Sequence, residues 1–165
     1  MRSRIFCKFL LALLLAGCAT GPDGPSEPVT GHRYVPEADF QRIAGYFTGR
    51  EHPGDRLYLR SRPESRAGYY WMLPLDGIEE PRRIDGILLR VQAPGSPETR
   101  TYPFSPDDPT TPDKILWVGL TGSDWPDPEA RPIAWRIELR SADGELLAAR
   151  ESFLWSAPPP DDDHG

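Results

Sequence analysis

Proline and glycine govern what this chain can fold into. All 20 Pro lie after residue 18, and with 14 of the 15 Gly they account for 34 of the 148 residues from Cys18 onward. Proline lacks the backbone donor and clashes inside a helix, whereas between short strands it sets turns. Long helices are thereby disfavoured, and the apolar residues must be buried on short extended segments instead.

Such segments recur along the chain. Runs at 56–62, 68–75, 84–92, 99–104, 114–120, 133–140 and 146–155 are apolar, short and bounded by Gly, Pro, Asp or Ser. That spacing is typical of all-β sandwiches and barrels. It predicts an immunoglobulin-like β-sandwich of about seven to eight strands. Ahead of them, Phe40, Ile43, Ala44 and Phe47 follow Pro36-Glu37 at helical spacing, while Gly45 and Tyr46-Phe47-Thr48 suit a strand. A short helical turn leading into a strand is expected there.

The clearest strand pair is near the end. Ile133, Trp135, Ile137 and Leu139 alternate with Ala134, Arg136, Glu138 and Arg140, so one face is apolar and the other mostly charged. Asp143-Gly144 supplies turn chemistry. A three-residue loop, Ala142-Asp143-Gly144, would pair Leu139 with Leu147 and Ile137 with Ala149, and would carry an apolar face on through Phe153 and Trp155. Three other runs do not alternate: Tyr69-Tyr70-Trp71-Met72-Leu73, Ile87-Leu88-Leu89 and Ile115-Leu116-Trp117-Val118. Each places apolar groups on both faces of its strand, while a simple sandwich buries one face per sheet. The extra face needs cover from a loop, from the opening segment or from a partner.

One stretch suggests a ligand site. Trp125 lies in Gly122-Ser123-Asp124-Trp125-Pro126-Asp127-Pro128-Glu129, which reads as a loop. Its ring is expected to cap the core. The competing use is a platform for a sugar ring, with Asp124 and Asp127 accepting from its hydroxyls and an outward-facing Tyr70 or Trp71 adding surface. Asp124, Asp127 and Glu129 offer hard oxygen donors, but the spacing lacks the Gly and closing Glu of a calcium loop, so no metal is expected. Catalytic signals are absent: no HExxH, GxSxG, GxGxxG or phosphate loop occurs. Of the later histidines, His32 and His164 fall in or beside expected tails, and His52 precedes Pro53-Gly54 in a turn. No cofactor is called for.

The first 18 residues carry an address. Arg2, Arg4 and Lys8 precede an apolar run that ends in Leu15-Ala16-Gly17-Cys18, the three-part layout of a secretory signal too short to span a bilayer. Cys7 and Cys18 are the two cysteines, so a disulfide framework in the remainder is excluded. The segment resembles the lipobox of bacterial lipoproteins. The resemblance implies that the Cys18 thiol receives a diacylglyceryl group, that cleavage removes 1–17, and that the new amino terminus is acylated. It also implies a periplasm-facing position, with Ala19 favouring the outer over the inner membrane. Residues 18–33, rich in Pro and Gly, then read as a tether reaching roughly 20 Å as a coil and about 45 Å as polyproline II. The sandwich domain is expected over 34–155, followed by a disordered acidic tail over 156–165.

Removing 1–17 takes away three positive charges and no acid, so the formal net charge goes from −6 to −9. That balance opposes nucleic acid as a partner. The expectation is a non-enzymatic binding or structural module of the cell envelope, held by its lipid and meeting an envelope protein or glycan. A glycan- or peptidoglycan-binding module is the alternative, and an envelope hydrolase, whose carboxylates would meet only in space, is third.

Overall fold

The computed structural model describes residues 31–40, 54–107 and 110–156. The residues read as signal and lipobox, the expected tether up to residue 30, His52 and residues 157–165 of the expected tail lie outside them. Among the described residues, eight strands form two sheets of four. The first sheet contains β1 (Gly31–Val35), β2 (Arg56–Arg60), β3 (Gly68–Pro74) and β6 (Ile115–Thr121), in the order β1-β3-β6-β2. Its strands run antiparallel except β2 beside β6, which is parallel. The second contains β4 (Gly86–Gln92), β5 (Thr99–Phe104), β7 (Ala134–Arg140) and β8 (Leu146–Glu151), in the order β5-β4-β7-β8 and antiparallel throughout.

Strand alternation builds the core between the sheets. Tyr69, Trp71 and Leu73 of β3 and Leu116, Val118 and Leu120 of β6 meet Ile87, Leu89 and Val91 of β4 and Trp135, Ile137 and Leu139 of β7. Trp71 and Trp135 join the two layers with ring centroids 6.1 Å apart. The sandwich therefore rests on side chains two apart in sequence, as the pleat requires.

The runs that do not alternate explain a second, smaller core. Tyr70 on β3 and Trp117 on β6 point away from the first core and bury themselves with Val35 and Phe40, with Met72, Ile115 and Tyr58 packed around them. Part of the cover is the 3₁₀ turn Glu37–Phe40, whose Phe40 ring sits 5.5 Å from those of Tyr58 and Tyr70. The expected helical turn is thus present, while the strand expected at 45–48 lies outside the described residues. In the second sheet Leu88 takes the outer face and is only half-buried.

Three local expectations are corrected. β1 takes Gly31 to Arg33, expected as the end of the tether, into the first sheet, pairing along β3 from Gly31↔Met72 to Val35↔Gly68. His32 is accordingly not beside a tail: its Nδ1 lies 2.7 Å from the Tyr69 hydroxyl and its ring centroid 5.5 Å from that of Trp135. In the β7–β8 hairpin the three-residue loop forms, with Ser141 N–H donating to Glu145 O and Gly144 at φ +86. A bulge then shifts the register, so Leu139 faces Ala148 and Ile137 faces Arg150 instead of Leu147 and Ala149. Finally, β8 stops at Glu151 because the Ser152 hydroxyl accepts from Trp135 N–H and a helical turn, Phe153–Ser156, follows. That turn leaves Phe153 85% exposed.

Candidate functional site

The residues singled out in the sequence for ligand binding are engaged inside the protein. The turn Gly122–Asp124 needs Gly122 at φ +56 and tucks Trp125 back under the sheet, where it is 4% exposed. Its ring centroid is 5.1 Å from that of Tyr69. A buried ring has no face to offer a sugar, so Trp125 caps the core and is not a platform. Asp124 accepts both arms of the Arg62 guanidinium, at 3.0 and 3.1 Å. Asp127 accepts from the Glu129 backbone N–H at 2.8 Å. Tyr70 and Trp71 are fully buried. The Tyr70 hydroxyl donates to Arg66 O at 2.6 Å and accepts from Arg60 Nε at 2.9 Å, which pins it across the β2–β3 connection. These four positions, Trp125, Asp124, Asp127 and Tyr70, do not converge on one site. Among the described residues, no group of three or more His, Cys, Asp or Glu is placed to hold a metal ion.

Charge is concentrated on the outer face of the second sheet, and there too it is used internally. Glu138 is 4% exposed although its strand position faces outward. Its carboxylate accepts from Arg140 at 2.5 Å, Arg136 at 2.9 Å and Arg90 at 3.2 Å, while Arg136 also reaches Glu151. Burial pushes the Glu138 carboxyl up, but the hydrogen bonds from Arg140 and Arg136 and the nearby positive charges outweigh it and hold the group below its ordinary range. A carboxylate held by three guanidiniums is a clasp between β4 and β7, with no free lone pair directed at a substrate.

An open feature among the described residues lies on the other outer face. In β2 the pattern Arg56-Leu57-Tyr58-Leu59-Arg60 sends the leucines inward and Arg56, Tyr58 and Arg60 outward. Arg60 lies over Tyr58 at 4.7 Å and Phe40 at 5.1 Å, and Arg56 lies over Trp117 at 4.9 Å, its guanidinium also donating to the Tyr58 hydroxyl at 3.3 Å. These are cation–π distances. Beside them a cavity of about 370 Å³ opens between β1, the Glu37–Phe40 turn and the far strands. Val35, Phe40, Met72 and Trp117 form its apolar wall, and Arg33, Arg56 and Asp39 bring the charges. Its volume falls in the range of small-molecule pockets. Trp71, Trp117 and Trp125 each have a buried Nε1 with no hydrogen-bond partner among the described residues, and of the three only Trp117 lines this cavity.

Sequence reasoning missed this constellation because its members come from four separate segments. The legible signal was indirect: the apolar residues at consecutive positions in β3 and β6, and the Arg-x-Tyr-x-Arg alternation of β2. Among the described residues no helix is long and apolar enough to cross a membrane. Compared with protein-family models, with curated proteins and with solved structures, the chain matches none of them.

Proposed function

We propose that this chain is a lipid-anchored lipoprotein of the cell envelope whose sandwich domain acts as a non-enzymatic binding module. The carrying observation is Leu15-Ala16-Gly17-Cys18 behind a basic start and an apolar run. Acyl chains on Cys18 would hold the protein at a membrane at roughly 0.8 kcal/mol per buried CH₂, so several chains anchor it durably. The domain would face the periplasm, with Ala19 directing it to the outer membrane. Binding is favoured over catalysis because Glu138, the most buried carboxylate among the described residues, and Asp124 of the Trp125 loop are both held by arginines, while a cavity with an apolar wall and two arginines stays open.

The sandwich itself we read as immunoglobulin-like. With β2 set aside, β1-β3-β6 and β5-β4-β7-β8 follow the A-B-E and C′-C-F-G orders of that fold, every neighbour antiparallel. The departure is the edge beside β6, where that fold carries strand D. Here β2 takes the edge, arriving from the connection between β1 and β3 and lying parallel to β6.

Metabolic labelling with a radioactive fatty acid tests the anchor. Wild-type protein should carry the label and sediment with membranes, and Cys18→Ser should lose the label and either accumulate unprocessed or leave the membrane fraction. Unlabelled wild-type protein would overturn the lipoprotein reading.

A further inference from the structure

We propose that the cavity on the outer face of the first sheet binds a carboxylate carried on a compact apolar group. Among the described residues two arginines and one acid line it, a surplus of one positive charge in a protein whose overall balance is −6. One surplus charge suits a monoanion and leaves a phosphate dianion half-compensated. Arg33 stands on the edge strand β1, is exposed, and has no hydrogen-bond or ion-pair partner among the described residues. Arg56 uses one donor, on the Tyr58 hydroxyl, and its stacking on Trp117 orients the planar guanidinium. A guanidinium has five donors arranged as a fork that matches the two oxygens of a carboxylate. Unlike the guanidiniums around Glu138 and the one on Asp124, those of Arg33 and Arg56 form no ion pair among the described residues.

The remaining lining chooses the body of the ligand. Val35, Phe40, Met72 and Trp117 make an apolar wall that a fully hydrated inorganic anion would not use, whereas an aromatic or branched hydrocarbon gains contact along it. Asp39 contributes a negative charge to the lining and so disfavours a second acidic group on the ligand. A free carboxylic acid and the C-terminal residue of a peptide present the same chemistry to this pocket. The proposal does not depend on the lipid anchor, since it uses only residues 33–117.

The test titrates ¹⁵N-labelled full-length chain, purified in detergent, with benzoate and with N-acetylphenylalanine. Benzamide and N-acetylphenylalaninamide serve as their uncharged counterparts. Trp117→Phe identifies the Trp117 indole signal, which then reports occupancy of the cavity. At least one acid should shift that signal saturably below ~10 mM and bind about tenfold tighter than its amide, the worth of one charged hydrogen bond. Arg33→Gln and Arg56→Gln should each weaken it by a similar factor, while Arg33→Gln, at an exposed position, leaves the urea midpoint unchanged. Response to benzoate alone assigns the pocket to free acids, and a preference for N-acetylphenylalanine assigns it to chain termini. No saturable shift from either acid, equal binding of acids and amides, or full binding in both arginine variants would overturn the proposal.

Discussion

A single methyl group added at Gly119 should cost this protein more than most deletions on its surface. Gly119 lies mid-strand in β6, opposite Tyr70 on β3 and Arg60 on β2. A Cβ there would sit 2.4 Å from Tyr70 Cε1, 2.7 Å from Cδ1 and 2.8 Å from Cζ. Carbon atoms rest about 3.5–4.0 Å apart, so the ring would have to retreat by roughly 1 Å. It has nowhere to go. The ring is fully buried, is flanked by Phe40 and Trp117 at 5.5 and 5.8 Å, and is tied at its hydroxyl to Arg66 O and Arg60 Nε. Overpacking a core costs about 1–3 kcal/mol. Losing the hydroxyl's position adds about 1 kcal/mol. Gly119→Ala should therefore destabilise by about 2–4 kcal/mol in urea unfolding. Gly86→Ala is the matched control, because a Cβ at that strand position meets nothing within 4 Å. It should be neutral or stabilise by up to about 1 kcal/mol, through the unfolded chain. In a Tyr70→Leu background the two alanine substitutions should become nearly equivalent, since the obstructing ring is gone. If Gly119→Ala and Gly86→Ala differ by less than about 0.5 kcal/mol in the otherwise wild-type protein, the close packing of Tyr70 on β6 is refuted.

Trp125→Ala should cost about 3–5 kcal/mol as a large buried ring is lost, whereas Trp125→Phe should cost far less, because it keeps contact with Tyr69 and removes an indole N–H that has no partner. Equal urea midpoints for the two variants would contradict that role. Glu138→Gln should lower stability at pH 7 by about 1–3 kcal/mol, less than for a fully buried pair because Arg90, Arg136 and Arg140 retain 36%, 27% and 39% exposure and can rehydrate. The folded carboxyl titrates below its ordinary 4.5, so its contribution is complete above that pH and is lost as the pH falls towards the folded value, where the unfolded chain binds the proton first. Wild-type stability should accordingly fall more steeply than that of Glu138→Gln between pH 5 and pH 3, and parallel curves in urea melts would reject the clasp.

Much of the fold was legible because strand signals are local. The seven runs read from residue 56 onward coincide with β2 to β8, since side-chain alternation and Pro or Gly at the ends act within a few residues. β1 was missed. It is five residues long, has polar His32 and Arg33 at its centre and follows a Pro- and Gly-rich stretch, so its pairing with β3 is what makes it a strand. The hairpin shows the same limit. Ala142-Asp143-Gly144 specified the loop, but the bulge that sets Arg150 opposite Ile137 depends on how β8 lies along β7 beyond the turn. For Trp125, residue type argued for burial and loop composition argued for exposure, and only the Gly122 turn and the Tyr69 ring decided between them.

From sequence alone came a mostly β-strand chain, an apolar face for each run, a surplus of apolar side chains on β3 and β6, and the lipobox-like pattern ending in Cys18, because each is written in residues close together along the chain. Tertiary structure alone decided which strands are neighbours. Placing β2 parallel to β6 at the sheet edge brings Arg56 over Trp117, 61 positions away, and the β1–β3 pairing sets Arg33 on the same outer face near Phe40. Strand order is a property of the whole packed sheet, chosen by which faces can be buried together. Periodicity in one segment carries no record of that choice.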